Sequence, residues 1–210
     1  MQVDLRIEPE GFPGSPVMRQ AALTALSHLG LQARFARLDL VLDAPEFEGS
    51  AFWSFEHTAD VRVQAALYGS PRDVLRPGAW NEDPQLTLDL TRLSALGDDR
   101  LDRLRVDRWL HRNFLQLDDL LSGRVLPSAV PPPRAAGLQA VWDVWTDGRL
   151  RARQFPGLTQ AERRRIFFRV FAQHGLLLPR HWDVFHRLWN DQFADQSGLL
   201  RALDALPQAG

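Results

Sequence analysis

The chain contains no cysteine among its 210 residues. Without cysteine there is no disulfide bond, no thiol nucleophile and no thiolate metal site. Lysine is absent too, so all 25 basic residues are arginine. This excludes Schiff-base chemistry on lysine, a pyridoxal-phosphate lysine and the lysine of a phosphate-binding loop. The glycine fingerprint of dinucleotide-binding folds and the nucleophile elbow of hydrolases are also missing.

Long apolar runs are missing as well, since none approaches the roughly 20 residues needed to span a bilayer. The first residues, 1–11, are acidic and predict a strand rather than a signal peptide. An apolar content of 45% with 24% charged residues is typical of a folded globular chain and not of a disordered one. We therefore expect a cytoplasmic protein with no membrane association.

The net charge of −1 conceals an asymmetry between the two halves of the chain. Residues 1–97 carry 8 arginines against 13 acidic residues, whereas residues 98–210 carry 17 arginines against 13. The second half is therefore mildly basic. This weakly indicates an anionic partner, although we expect nucleic acid to be an unlikely one.

The first half predicts strands. Residues 2–8, 33–43 and 85–93 alternate apolar and polar side chains, and the runs 46–57 and 59–69 are consistent with a hairpin. The predicted inward side of the second strand consists of Ala36, Leu38, Leu40 and Leu42. These strands follow one another too closely for repeated helical crossovers, so the sheet should be antiparallel or mixed.

A single early helix interrupts these strands. Ser15 is its predicted N-cap and Pro16 its first residue, and Gly30 is a C-terminal stop. His28 falls in the last turn, where a cation suits the helix dipole, and is predicted to be a surface residue. The predicted buried face consists of Val17, Ala21, Ala25 and Leu29.

The second half predicts helices. Residues 98–122 form the longest helical pattern, between Asp98 as a cap and Gly123 as a stop. Further helices are predicted at 135–147, ending at Asp147-Gly148, then from a Thr159–Glu162 capping box to Gly175, from Pro179, and after a Ser197 cap. The predicted fold class is α+β, as one domain over residues 1–210, β-rich in 1–97 and helical in 98–210.

The long predicted helix contains one histidine near its middle, His111. An N-terminal sheet followed by a helix with a central histidine and then an acid-bearing helix resembles the zincin-like metallopeptidases, in particular the small gluzincins. In that family the HExxH motif places two histidines one turn apart on zinc, with a glutamate as general base. The resemblance implies a third, carboxylate ligand on the next helix, and Asp143 is the best placed residue for it.

The motif itself departs from the family pattern. The aligned residues are His111-Arg112-Asn113-Phe114-Leu115, so only the first histidine matches. Arg112 stands where the glutamate would be, and Leu115 stands where the second histidine would be. One imidazole does not hold zinc, and a neighbouring arginine repels the cation. The resemblance therefore implies a member that has lost its metal and its activity, with no metal site and no cofactor. The simpler interpretation of His111 is a core histidine hydrogen-bonded to a carboxylate.

The string WDVWTDGRL is the most distinctive in the chain. Trp142 and Trp145 are three residues apart and share a helical face, and Arg149 follows the Asp147-Gly148 turn. One interpretation is two core tryptophans with a structural aspartate–arginine pair. The other is a pocket in which Asp143 and Asp147 converge with His111, with Arg112, Arg149, Trp142 and Trp145 as possible pocket residues.

The string RRRIFFRVF combines arginine with aromatic residues, as nucleic-acid-binding segments do. However, Ile166, Phe167, Val170 and Phe171 also match a buried helical stripe, which would place Arg163 to Arg165 on the solvated side. Further along, His181 and His186 are five residues apart, which puts them off a common metal.

These patterns leave three hypotheses for function. The first is a catalytically inactive zincin-like protein with a structural or interaction role, through a protein partner or self-association. The second is a metal-dependent hydrolase or peptidase with a non-standard site, in which His111, Asp143 and Asp147 are the candidate catalytic groups. The third is a nucleic-acid-binding protein that uses the basic second half.

Overall fold

The computed structural model describes residues 3–10, 12, 14–42, 51–59, 62–75, 101–127, 130–172, 178–193 and 195–206. The chain forms two compact units, Met1–Phe114 and Leu115–Gly210. A mixed sheet near the N-terminus and helices mainly in the C-terminal half confirm the α+β class. That residues 1–210 act as one domain stays a prediction.

Among the described residues of the first unit, four strands form a sheet in the order β1-β2-β4-β3. They are β1 (Asp4–Glu8), β2 (Phe35–Val41), β3 (Phe52–His57) and β4 (Val63–Tyr68). The β1–β2 and β2–β4 pairs are parallel, and β3 and β4 form the predicted antiparallel hairpin. The mixed sheet is therefore confirmed. The further strand predicted at 85–93 lies outside the described residues.

Apolar alternation explains which strand residues are buried. Leu5 and Ile7 of β1 are buried, and so are Leu38 and Leu40 of β2, as the period of two requires. Leu42, just after β2, is buried as predicted, whereas Ala36 is only half-buried.

Helix α1 (Ser15–His28) connects the parallel strands β1 and β2. Its N-cap is Gly14 with a φ of 72°, so the prediction of Ser15 as the cap is wrong. Glycine reaches this left-handed conformation without a steric penalty. The buried face is also shifted by about one residue from the predicted one, because the helix buries Met18, Ala22, Ala25 and Leu26.

Helix α2 (Arg103–Leu121) is the long helix, but it begins later than predicted. Leu101 instead forms an isolated antiparallel bridge with Leu75. Asp102 accepts a hydrogen bond from the Arg105 backbone N–H at 3.2 Å, so it caps the first turn. The predicted cap, Asp98, lies outside the described residues. At the other end, Gly123 has a φ of 68°, as expected after a helix stop.

The described part of the second unit contains four more helices: α3 (Pro132–Ala152), α4 (Gln160–Phe171), α5 (Pro179–Trp189) and α6 (Gln196–Asp204). They share a core of aliphatic and aromatic side chains that includes Val141, Trp145, Phe167, Phe185 and Leu199. None of the described helices combines the length and the apolar composition that a bilayer crossing requires.

Helix α3 continues through Asp147-Gly148, so the predicted end there is wrong. A Cβ on Gly148 would lie 2.2 Å from the Trp189 carbonyl oxygen at the end of α5. This glycine therefore allows two helices to approach closely and does not terminate one. The helix ends at Ala152, two residues before Gln154, which has a φ of 60°.

The residues that begin the helices of the second unit agree with the predictions at α4 and α5 but not at α6. The capping box of α4 is confirmed, because the Thr159 hydroxyl accepts from the Glu162 backbone N–H and the Glu162 carboxylate accepts from the Thr159 N–H. Pro179 begins α5 as predicted. Asp195 caps α6, accepting from the Gly198 N–H at 2.9 Å, so the prediction of Ser197 is wrong. The predicted stop at Gly175 lies outside the described residues.

Candidate functional site

Two clusters of charged or titratable side chains stand out, one in each unit. The first is a buried ionic network in the second unit, centred on Arg163 of α4. Its Nε donates to Asp147 Oδ2 at 2.6 Å, and its Nη1 donates to Asp143 Oδ2 at 3.0 Å. Only 1% of Arg163 is exposed. The prediction that this arginine lies on the solvated side of its helix is therefore wrong.

The two carboxylates of this cluster stabilise the charged form of the Arg163 guanidinium. Burial disfavours the guanidinium, but the carboxylates of Asp143 and Asp147 outweigh that effect and raise the pKa of Arg163 above its usual value. Asp143 Oδ1 also accepts from the side-chain amides of Gln116 and Gln139, each at 2.8 Å. Asp147 Oδ1 accepts from the Leu158 backbone N–H at 3.2 Å. Both carboxylates are thus held in fixed positions by donors from several elements.

A second part of the network joins the end of α2 to α3. Arg149 donates from Nη1 to Asp119 Oδ1 at 2.9 Å and from Nη2 to Asp119 Oδ2, a bidentate pair that is fully buried. Trp142 Nε1 donates to the same carboxylate at 2.9 Å. The Arg149 guanidinium also lies 3.6 Å from the centre of the Trp145 ring, within range of a cation–π interaction.

The structure therefore buries Trp142, Trp145 and Arg149 next to one another, and their role as pocket residues stays a prediction. The Trp145 Nε1 donates not to Asp119 but to Asp191 Oδ1. The sequence did not assign Asp119 to Trp142 and Arg149, nor Arg163 to Asp143 and Asp147. A buried aspartate at helical position 119 could have been suspected only from its place beside the apolar stripe of the long helix. The opposite charges of this network offset one another and tie three helices together.

The second cluster is a pair of histidines in the first unit. His111 is 1% exposed, and its Nδ1 lies 2.8 Å from the Asp107 backbone carbonyl oxygen, to which it donates. Its Nε2 lies 3.0 Å from Nδ1 of His28, at the end of α1. The ring centres are 5.3 Å apart. The two ring nitrogens of His111 thus contact a backbone carbonyl and a second imidazole.

Burial is the main influence on the pKa of His111. It lowers the pKa of His111 below 6.5, and the nearby His28 lowers it further, against the opposing effect of Asp107. Burial also raises the pKa of the Asp107 carboxyl above 3.8, against the stabilising fields of His111, Arg103 and His28. His28 is exposed as predicted, but the sequence did not reveal its pairing with His111.

The remaining positions of the zincin-like motif carry no ligand chemistry. Leu115 is 2% exposed and belongs to the apolar interior, and Arg112 is half-buried. These residues do not fit zinc, because an alkyl group offers no lone pair and a guanidinium repels the ion. Within the described ranges, no three histidine or acidic side chains come close enough to hold a metal ion together.

Comparison with known proteins adds no relative. No family model, no curated protein and no solved structure matches the chain.

Proposed function

We propose that this protein is non-catalytic, of the degenerate zincin-like type, and that it acts by binding a protein partner. The candidate catalytic carboxylates, Asp143 and Asp147, are engaged by the buried Arg163. His111 is engaged through both ring nitrogens. These contacts support a structural use of the groups that a hydrolase would need for acid–base work.

The outer face of α4 carries the interaction role. Because Arg163 and Phe167 are turned inward, Ile166 and Val170 are 36% and 48% exposed, in contrast to the buried stripe that the sequence predicts. Phe168 is 38% exposed on the other flank of the helix. Exposed apolar side chains that share a helix face are typical of interaction surfaces.

Two exposed arginines, Arg165 and Arg169, lie between these flanks, one helical turn apart. We define this α4 surface as Arg165, Ile166, Phe168, Arg169 and Val170. Its charge complements an acidic segment, and its aliphatic groups would be buried by apolar side chains of the same segment. Phosphate groups of a nucleic acid would leave Ile166 and Val170 exposed. An acidic, amphipathic stretch of a protein partner is therefore the occupant that fits this surface.

The test uses two fluorescent probes, a synthetic peptide of alternating glutamate and leucine pairs and a single-stranded oligonucleotide. We expect the full chain to bind the peptide, with an affinity that weakens as salt is raised. The double variant I166S/V170S should lose this binding, and R165E/R169E should weaken it. R201E, which reverses an exposed arginine on α6, is the matched control and should bind as the wild type does.

Two results would overturn the proposal. One is the absence of peptide binding at low salt, or binding that both double variants retain. The other is binding of the oligonucleotide alone, with a steep salt dependence, which would assign the surface to nucleic acid instead.

The degenerate-zincin part of the proposal has its own test. If α2 derives from an HExxH helix, the double variant R112E/L115H restores the missing glutamate directly after His111 and the missing histidine one helical turn from it. We expect the purified variant to retain close to stoichiometric zinc after desalting, whereas the wild type should not. A folded double variant that takes up no zinc would count against the zincin-like ancestry and leave the interaction proposal standing.

A further inference from the structure

A pocket of about 440 Å³ lies between α1 and α2, within the first unit. The residues that line it include Val17 and Ala21 of α1, and Arg103, Val106 and Asp107 of α2. Its volume falls in the range of roughly 300–1,000 Å³ that is typical of small-molecule sites. This α1–α2 pocket is separate from the α4 surface of the proposed function, which belongs to the other unit.

The lining of the α1–α2 pocket has an apolar part and a charged part. Val17 and Ala21 are half-buried, and together with the fully buried Val106 they form an aliphatic wall. Arg103 is exposed and Asp107 is half-buried, and these two residues lie one helical turn apart on α2. A ligand that fills this pocket therefore needs an apolar group together with charged groups.

The two charged side chains of the pocket have no bonded partner in the part of the chain that the structure describes. There, Arg103 and Asp107 form neither a hydrogen bond nor an ion pair through their side chains, although their spacing would allow them to pair with each other. Burial raises the pKa of the Asp107 carboxyl above 3.8, and the opposing charges of His111, Arg103 and His28 do not cancel this effect. The charged form of Asp107 therefore gains from a further cation in the pocket.

The two charges restrict the chemistry of the ligand. An ammonium group can donate to the Asp107 carboxylate, and a carboxylate can accept from the Arg103 guanidinium, in both cases with a charge-assisted hydrogen bond. A ligand with only one of these groups would meet one like charge in the pocket. A metal ion does not fit, since Asp107 has no second and third ligand among the described residues. The matching small molecule is therefore a zwitterion with an apolar group.

We propose that the α1–α2 pocket binds a free α-amino acid with an apolar side chain. The ammonium group of the ligand contacts Asp107, its carboxylate contacts Arg103, and its side chain packs against Val17 and Ala21. The ligand thereby joins α1 to α2 through groups that only the folded chain brings together. Binding therefore stabilises the folded first unit against unfolding.

Calorimetric titration of the full chain with L-leucine, L-methionine and L-phenylalanine tests the proposal. At least one of them should bind in a 1:1 ratio, whereas glycine, which has no side chain to bury, should bind at least about tenfold more weakly. The amide and the N-acetyl derivative of the tightest ligand each remove one charge, the carboxylate and the ammonium respectively. Each should also bind at least about tenfold more weakly, because one charge-assisted hydrogen bond is lost.

Two variants test the assigned contacts. Asp107→Asn keeps the shape of the side chain but not its charge, and should weaken binding of the tightest ligand at least about tenfold. Arg103→Gln should weaken it about fivefold, since an exposed charge contributes less. The matched controls are Asp4→Asn and Arg6→Gln, at an exposed ion pair of β1 in the same unit, and both should bind as the wild type does. Circular dichroism checks that each variant is folded.

Four results would overturn the proposal. The first is that none of the three apolar amino acids binds at millimolar concentration. The second is that the amide binds as tightly as the free amino acid, which would assign the pocket to the N-terminus of a peptide. The third is that the N-acetyl derivative does so, which would assign it to a peptide C-terminus. The fourth is that folded Asp107→Asn binds as the wild type does, which would place the ligand elsewhere.

Discussion

Arg163 Nε and Asp147 Oδ2 lie 2.6 Å apart, and both side chains are only 1% exposed. Neither charge could remain in the interior alone, because an unpaired buried ion costs several kcal/mol. The pair joins α4 to α3, and the two helices owe their relative position in the second unit partly to it. Asp143, which contacts the same guanidinium, adds a second carboxylate to this link.

Replacing Arg163 with methionine should strongly destabilise the second unit. The variant leaves Asp143 and Asp147 without their shared cation, and breaking a buried pair from one side costs about 3–5 kcal/mol. Urea unfolding followed by tryptophan fluorescence measures the difference. Arg165→Met, two residues away on the exposed side of α4, is the control and should change the free energy of unfolding by about 0.5 kcal/mol or less. Equal effects of the two substitutions would contradict a structural role for the ion pair.

Gly148→Ala should destabilise the protein even though alanine is the better helix former. The new Cβ would meet the Trp189 carbonyl oxygen, a backbone atom, at 2.2 Å, so α3 and α5 would have to move apart. We expect a loss of about 1–3 kcal/mol, the usual cost of overpacking. The comparison is Gly137→Ala in the same helix, where the nearest atom is the Leu203 Cδ1, at the end of a flexible side chain, at 2.8 Å.

Alanine at position 137 should be neutral or stabilising by up to about 1 kcal/mol, from helix propensity alone. Thermal unfolding of the two variants separates the outcomes. Equal stability of Gly148→Ala and Gly137→Ala would contradict the conclusion that Gly148 is needed for the close approach of α3 and α5.

Asp107→Asn should show a stability effect that depends on pH. Because burial raises the pKa of this carboxyl, the folded state holds its proton to a higher pH than the unfolded state does. Wild-type stability therefore falls as the pH rises from 3.8 through the raised pKa, and asparagine, which does not titrate, avoids this loss. The free energy of unfolding of the variant, relative to that of the wild type, should thus be higher at pH 7 than at pH 3.

Urea unfolding at both pH values measures this difference. The substitution keeps the backbone carbonyl that accepts from His111, so the histidine contact is preserved. Asp4→Asn, at an exposed carboxyl of β1, reports the general effect of removing one negative charge. A variant-to-wild-type difference that is the same at pH 3 and pH 7 would show that burial does not perturb Asp107.

Local patterns predicted the secondary structure well wherever neighbouring residues decide it. The alternation through Leu38 and Leu40, the Thr159–Glu162 capping box and the Gly123 stop all depend on interactions within a few residues, and the structure confirms each. The same reasoning failed at Gly148, where a glycine serves contact with another helix rather than a turn.

The sequence by itself determined the α+β class, the hairpin, the order of the helices and the chemical absences that exclude thiol and lysine chemistry. Only the tertiary structure decided which charges are buried and with whom they pair. Arg163 to Asp147, 16 residues apart, and His28 to His111, 83 apart, meet because helices pack, and no local period encodes such partners. An arginine on an apolar helix looks solvated in sequence. It is buried when the neighbouring helix supplies carboxylates that offset the desolvation cost of its charge.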